Sequence, residues 1–147
     1  ALTVGGIDDK NTFDRKQIKL WHSNFGSGGG GVHKPEIVAP SLWVVSCIMP
    51  GSQVEEEAQD LFQDPEANQE RIRDLKLVSP HYKHVDGTSF AAPIVAGLVA
   101  RQGQAALARS AADLGARGRD AVYGQGLVGV GSRAAPQTMG ARGRLAR

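Results

Sequence analysis

Cysteine is almost missing from this sequence: Cys47 stands alone among 147 residues, so no disulfide can form within the chain. It ends the apolar run Leu42-Trp43-Val44-Val45-Ser46-Cys47, where a free thiol is expected to be buried rather than reactive. Aromatic residues are scarce as well, at 5% against nineteen glycines, which argues for many tight turns and against a helical bundle. No stretch approaches the roughly 18 apolar residues of a membrane helix, so no membrane partner is expected. No signal peptide opens the sequence, which a missing N-terminal region would explain, and the localisation stays open. The histidines His22, His33, His81 and His84 match no zinc spacing and have no second cysteine to join them, so no metal and no other cofactor is expected. The run Gly26-Ser27-Gly28-Gly29-Gly30-Gly31 is a loop without the Gly-Lys-Ser/Thr that a phosphate-binding loop requires.

What is present is unevenly distributed. The length suits one average domain, and 41% hydrophobic content is enough for a core. The net charge of +2 conceals two regions of opposite sign. Residues 1–100 carry nine Lys and Arg against thirteen Asp and Glu; residues 101–147 carry eight Arg, no Lys, and only Asp113 and Asp120. Such a basic tail can bind nucleic acid. Its arginines are accompanied by a single aromatic, Tyr123, so it reads as a solvated terminus and no nucleic-acid partner is expected. The Arg- and Gly-rich residues 129–147 read as a disordered tail.

Along the chain, Ala1 to Gly5 reads as a short buried strand and Asp8-Asp9-Lys10-Asn11 as a turn. Gln17-Ile18-Lys19-Leu20-Trp21 alternates like a half-exposed strand. Glu36-Ile37-Val38-Ala39 and Leu42-Trp43-Val44-Val45 are two further strands, parted by Pro40. Residues 52–80 form a polar insert. In it Ser52 and Glu55 make a capping box, Val54, Ala58, Leu61 and Phe62 share one helical face, and Asp64-Pro65 restarts a helix that turns Ile72 and Leu75 inward. Glu55-Glu56-Glu57 reads as a solvated face, with a lid over a substrate cleft as the alternative for the insert. After the insert, Tyr82-Lys83-His84-Val85 reads as an extended segment.

That segment leads into Asp86-Gly87-Thr88-Ser89-Phe90-Ala91-Ala92-Pro93-Ile94-Val95-Ala96-Gly97, a turn that delivers a serine onto the start of an apolar helix. Gly87 permits unusual dihedrals and a close approach, and Thr88 or Ser89 can cap the helix. Pro93 is expected to fall within the first turn, where amides have no intrahelical partner to lose. The helix is expected to run to about Ala112, with Gly103 marking any bend. A hydroxyl at a helix N-terminus sits among unpaired amides and the positive end of the dipole, which suits a developing oxyanion. An ordinary capping serine gives the same local pattern.

The motif Gly87-Thr88-Ser89-Phe90-Ala91-Ala92-Pro93, with Val95-Ala96-Gly97 after it, resembles the nucleophile motif of subtilisin-like serine proteases, the subtilases. Ala1 to Gly6, Trp21 to Gly26 and Lys34 to Pro40 resemble family segments that precede the serine. Asp113-Leu114-Gly115-Ala116 and Tyr123-Gly124-Gln125-Gly126-Leu127-Val128 resemble those that come after it. The family usually has Gly where Ser41 stands. The resemblance implies an α/β fold: the C-terminal portion of a mostly parallel sheet, with a buried helix starting at the nucleophile serine. It makes residues 1–128 a partial catalytic domain interrupted by the insert at 52–80.

By the same resemblance, Ser89 is the nucleophile and its backbone amide an oxyanion donor, with Gly87, Thr88 and Pro93 in support. The substrate would be a protein or peptide. The family's Asp-Thr/Ser-Gly and His-Gly-Thr-His motifs do not occur here, and nothing aims His22, His33 or His84 at Ser89 as a substitute base. The chain therefore reads as a serine endopeptidase domain cut inside its catalytic region. Its partner would be the missing N-terminal half, or a second copy through self-association. The alternative is a non-catalytic pseudoenzyme fragment or interaction module, or a truncated or chimeric chain without activity of its own.

Overall fold

A computed structural model describes residues 1–10, Thr12 and 14–129. Strand β1 (Val4–Asp8) pairs in parallel with β5 (Ile37–Pro40), register Val4↔Ile37 to Ile7↔Pro40, and antiparallel with the short β2 (Lys19–Leu20). Beyond β5, the amide of Val38 reaches the carbonyl of Gly126 (3.0 Å) and the amide of Val128 reaches the carbonyl of Val38 (3.0 Å), a parallel bridge to Leu127. Strand β5 is thus flanked on both edges, and Ile37, Val38 and Ala39 are all buried. A strand covered on both faces reads as a continuous apolar run rather than an alternating one, as here.

Side-chain alternation along β5 divides the core. Val38 joins Ile7, Ile18, Ala112, Leu114 and Leu127 on one face. Ile37 and Ala39 face the other way, onto Ala91 and Val95 of helix α3 (Thr88–Gln102) and Leu107 of α4 (Gln104–Ser110), with Val128. Each buried Val, Leu or Ile here contributes about 1.5–3 kcal/mol, and the second of these layers holds the serine-bearing helix against the sheet.

Residues 44–85 build a separate layer. Strands β6 (Val44–Cys47), β7 (Leu77–Ser79) and β8 (Tyr82–Val85) form an antiparallel sheet in the order β6-β8-β7. Helices α1 (Gln53–Leu61) and α2 (Gln69–Asp74) lie between β6 and β7 in sequence. Ile48, Ala58 and Leu77 are the buried centre of a third cluster, with Leu61, Phe62, Ile72 and Leu75 packed around it. Glu57 and Arg71 tie the two helices on the outside at 2.6 Å. Two short strands, β3 (Gly26–Ser27) and β4 (His33–Lys34), make an antiparallel ribbon around the glycine loop.

Several sequence expectations are met in position and changed in detail. The architecture is mixed α/β, but the expected mostly parallel sheet is parallel only at β1–β5 and the bridge to Leu127; the other ladders are antiparallel. Parallel pairing needs a long crossover such as residues 9–36, whereas β7 and β8 are joined by a tight turn. Cys47 is exposed rather than buried, because in β6 it alternates outward with Val45 while Val44 and Ser46 face the other way. Ser52 does cap α1, its Oγ accepting the amide of Glu55 at 3.3 Å, but Glu55 returns the bond to Gly51 rather than Ser52. The second insert helix starts at Gln69, not at Asp64-Pro65. The serine helix stops at Gln102, since Gly103 (φ 82°, ψ 152°) breaks it and α4 comes at once. The tail, apart from Gly129, lies outside the described residues.

Candidate active site

The serine turn is built on β1. Gly6 is buried there, and a Cβ at that position would lie 2.7 Å from Ser41 Cβ and 2.8 Å from Thr88 Cγ2. A glycine is required for the helix start to come so close to the strand. Ser41, fully buried just past β5, donates both its amide (3.0 Å) and its hydroxyl (3.1 Å) to the carbonyl of Ile7. Its own carbonyl accepts the amide of Gly87 at 2.7 Å. Gly87 then takes φ 147° and ψ 144°, which an L side chain rarely adopts, and its carbonyl accepts the amide of Phe90 at 2.9 Å.

Helix α3 therefore begins at Thr88, with Ser89 as its second, exposed residue. Gly87 supplies no side-chain cap. The first amides of a helix have no intrahelical partner, so those of Thr88 and Ser89 are open to an anion at the positive end of a 15-residue helix. Pro93 is the sixth helical residue and lies beyond the first turn, contrary to expectation. An amide at position 93 would bond the carbonyl of Ser89 four residues back, and the proline has no such amide to offer. Both Ser89 and Pro93 are exposed.

The helix is covered on one side in this chain rather than on several. Ala91 and Val95 are buried, with Ile94, Leu98 and Val99 packed beside them. Ala92, Pro93, Ala96, Gly97 and Ala100 are exposed.

Upstream of the turn, four residues interlock. The Asp86 carboxylate accepts the amide of Trp43 at 2.9 Å and pairs with the ammonium of Lys76. Lys76 also lies 4.9 Å over the Trp43 ring. The His84 Nδ1 is 2.9 Å from the Trp43 carbonyl, with the two rings edge to face at 5.0 Å. The Lys76 ammonium, then the Trp43 amide, hold the Asp86 carboxyl below its ordinary range against the opposing effect of burial. An open groove of about 450 Å³ runs between this knot and Phe90.

The structure brings Gly87, Thr88 and Ser89 into one turn and extends the helix through Pro93. It brings no histidine to the serine among the described residues. The His33 Nδ1 meets Ser27 Oγ at 3.0 Å, His81 meets Glu55 at 2.9 Å, His84 meets Trp43, and His22 packs edge-on against Trp21 at 4.6 Å. Sequence reasoning named Ser41 and Asp86 but gave neither a role. The only signal for Ser41 was a small polar residue inside an otherwise apolar run. For Asp86 it was an acid immediately before the turn, without a visible partner.

Comparison with known proteins places the sequence in a family. The sequence pattern of the subtilase family matches residues 1–126. The chain is also similar to the serine protease AprX of Bacillus subtilis (strain 168), 29% identical over 103 residues. That alignment covers 68% of this chain and 20% of the relative, so the chain spans about a fifth of the length of the curated relative it matches. With the serine turn, its helix and nearly the whole described chain inside the match, this protein belongs to the subtilase family.

Proposed function

We propose that the chain is the serine-bearing part of a subtilisin-like serine endopeptidase domain, with Ser89 as nucleophile. The observation that carries this reading is the exposed Ser89 hydroxyl at the open N-terminus of α3, on a turn fixed through Gly87 and Ser41. In the reaction, Ser89 Oγ attacks the carbonyl carbon of a peptide bond as its proton passes to a base. The carbonyl π electrons move onto oxygen, and the Ser89 amide donates to that oxyanion. Collapse of the adduct breaks the C–N bond, the amine leaves with the proton, and water then hydrolyses the acyl-serine. The base and the carboxylate that orients it are assigned to residues outside this sequence. The substrate class is protein or peptide.

The competing reading is a non-catalytic module. The observation in its favour is that His33, His81 and His84 each spend a ring nitrogen on a partner other than Ser89. Fluorophosphonate labelling separates the two. The chain is labelled alone and after mixing with a subtilase N-terminal segment carrying the Asp and His motifs. Labelling of Ser89 that appears on mixing and disappears in Ser89→Ala supports the nucleophile; none under either condition favours the module.

A further inference from the structure

The knot of Trp43, Lys76, His84 and Asp86 is more tightly determined than a surface cluster needs to be. Four non-glycine residues among those described have positive φ, and two of them, Trp43 (φ 55°) and Lys76 (φ 56°), are here. Lys76 takes it as the residue that ends α2, its amide donating to the Arg73 carbonyl at 2.9 Å; Trp43 has no helix to end, and such a bulky residue persists there only where its surroundings over-determine it. Around these two residues the constraints are specific. The Asp86 carboxylate takes the Trp43 amide and the Lys76 ammonium, Lys76 covers the Trp43 ring, and the Lys76 carbonyl accepts the His84 amide at 2.8 Å. Lys76 comes after α2, so it belongs to the insert; Asp86 precedes Gly87 directly.

We propose that Asp86 is a positioning residue for Ser89 and that Lys76, supplied by the insert, sets Asp86, so that folding of the insert and presentation of the serine are coupled. The coupling runs along a short path. Asp86 is anchored on one side to Trp43 and Lys76, and the next amide, that of Gly87, is anchored on the other to Ser41. Between those anchors the backbone has little freedom to choose where Thr88 and Ser89 begin the helix. Phe90, which lines the groove with Leu75, Lys76 and Asp86, closes the turn through its bond to the Gly87 carbonyl. Only the role of Ser89 rests on the protease reading; the coupling is a property of the fold.

The charged groups that act on Asp86 are Lys76 at the end of the insert and His84 on β8, while Lys83 on β8 and Asp74 at the end of α2 line the same groove. The test uses the 147-residue chain labelled with ¹⁵N, without any catalytic assay. Lys76→Met and Asp86→Asn should each speed amide exchange at Gly87 and Phe90 about tenfold, the effect of losing a charge-assisted bond. The amides of Val38 and Val128 should keep their protection. Lys76→Arg should restore most of it, because a guanidinium can still pair with Asp86. In the unsubstituted chain the Ser89 amide signal should track the Asp86 carboxyl in an acid titration, and in Asp86→Asn it should not. The proposal is overturned if Lys76→Met loosens β7 but leaves Gly87 and Phe90 protected, or if the Ser89 signal titrates unchanged in Asp86→Asn. Coupling observed together with failed fluorophosphonate labelling would remove the protease reading and leave this one standing.

Discussion

The carbonyl of Ser41 accepts the amide of Gly87 at 2.7 Å, and this bond joins the end of the central strand to the turn that presents Ser89. Because the Ser41 amide and hydroxyl both reach Ile7, β1, β5 and the serine turn share one buried anchor. Gly6 makes room for it. Gly6→Ala should therefore destabilise the chain by about 1–3 kcal/mol through overpacking against Ser41 and Thr88. Ser41→Ala, which loses one hydroxyl bond, should cost about 1 kcal/mol. Denaturant unfolding measures both; a Gly6→Ala variant as stable as the parent would refute the close approach.

Acid should weaken the fold in a defined window. Burial works to raise the Glu36 carboxyl, but the Lys34 ammonium and the Thr3 amide outweigh it and hold it at about 2, from an ordinary 4.5. Asp8, paired with Lys10, and Asp86, paired with Lys76, are lowered too. A carboxyl lowered on folding contributes stability that is complete above its unfolded pKa and is lost as pH falls through the folded one. Stability should thus decline between about pH 4.5 and 2. Glu36→Gln should flatten that decline at a cost of about 1 kcal/mol at neutral pH, the small figure reflecting solvent screening of a half-exposed Lys34. An unchanged slope in Glu36→Gln, by thermal unfolding across pH, would contradict this.

The serine helix was legible in the sequence because its signal is local: Gly87 before a hydroxyl pair and an unbroken apolar run. The strand at β5 was legible for the same reason, as a short apolar run ended by a turn, whereas β1 was expected at Ala1–Gly5 and lies at Val4–Asp8, where its pairing with β5 and β2 sets its ends. What was not legible depends on pairing at a distance. The exposure of Cys47 comes from the outward alternation of β6 beside β8, and the place of Pro93 from where the helix starts, which Ser41 fixes from 46 residues upstream. Asp86 likewise looked unpaired until the insert brought Lys76 beside it.

The insert carries its own small core and should lose structure on its own. Leu77→Ala removes a buried side chain that clusters with Ile48 and Ala58, at an expected cost of about 2–5 kcal/mol. That should accelerate exchange across α1 and α2 while the amides of β5 stay protected. Equal acceleration in both would mean that the insert and the sheet unfold as one unit.

The exposed face of α3 should make the isolated chain associate. Ala92, Ala96, Gly97 and Ala100 present small apolar surface with nothing over it among the described residues. Sedimentation should show a weight that rises with concentration, and Ala96→Glu should shift the chain toward monomer by about tenfold in dissociation constant, as a charge buried without a partner costs more than about 1.4 kcal/mol. A concentration-independent monomer would show that this face needs no partner.

That Ser89 is a nucleophile awaiting its base is tested most directly by timing fluorophosphonate capture on the chain alone and on the chain reassembled with a segment carrying the Asp and His motifs. Alone, without an activating base, Ser89 should react no faster than an ordinary exposed serine. Reassembled, its labelling should accelerate by at least about 10³-fold, vanish in Ser89→Ala, and be accompanied by peptide hydrolysis. A reassembled domain of native size whose Ser89 stays unlabelled would contradict that role.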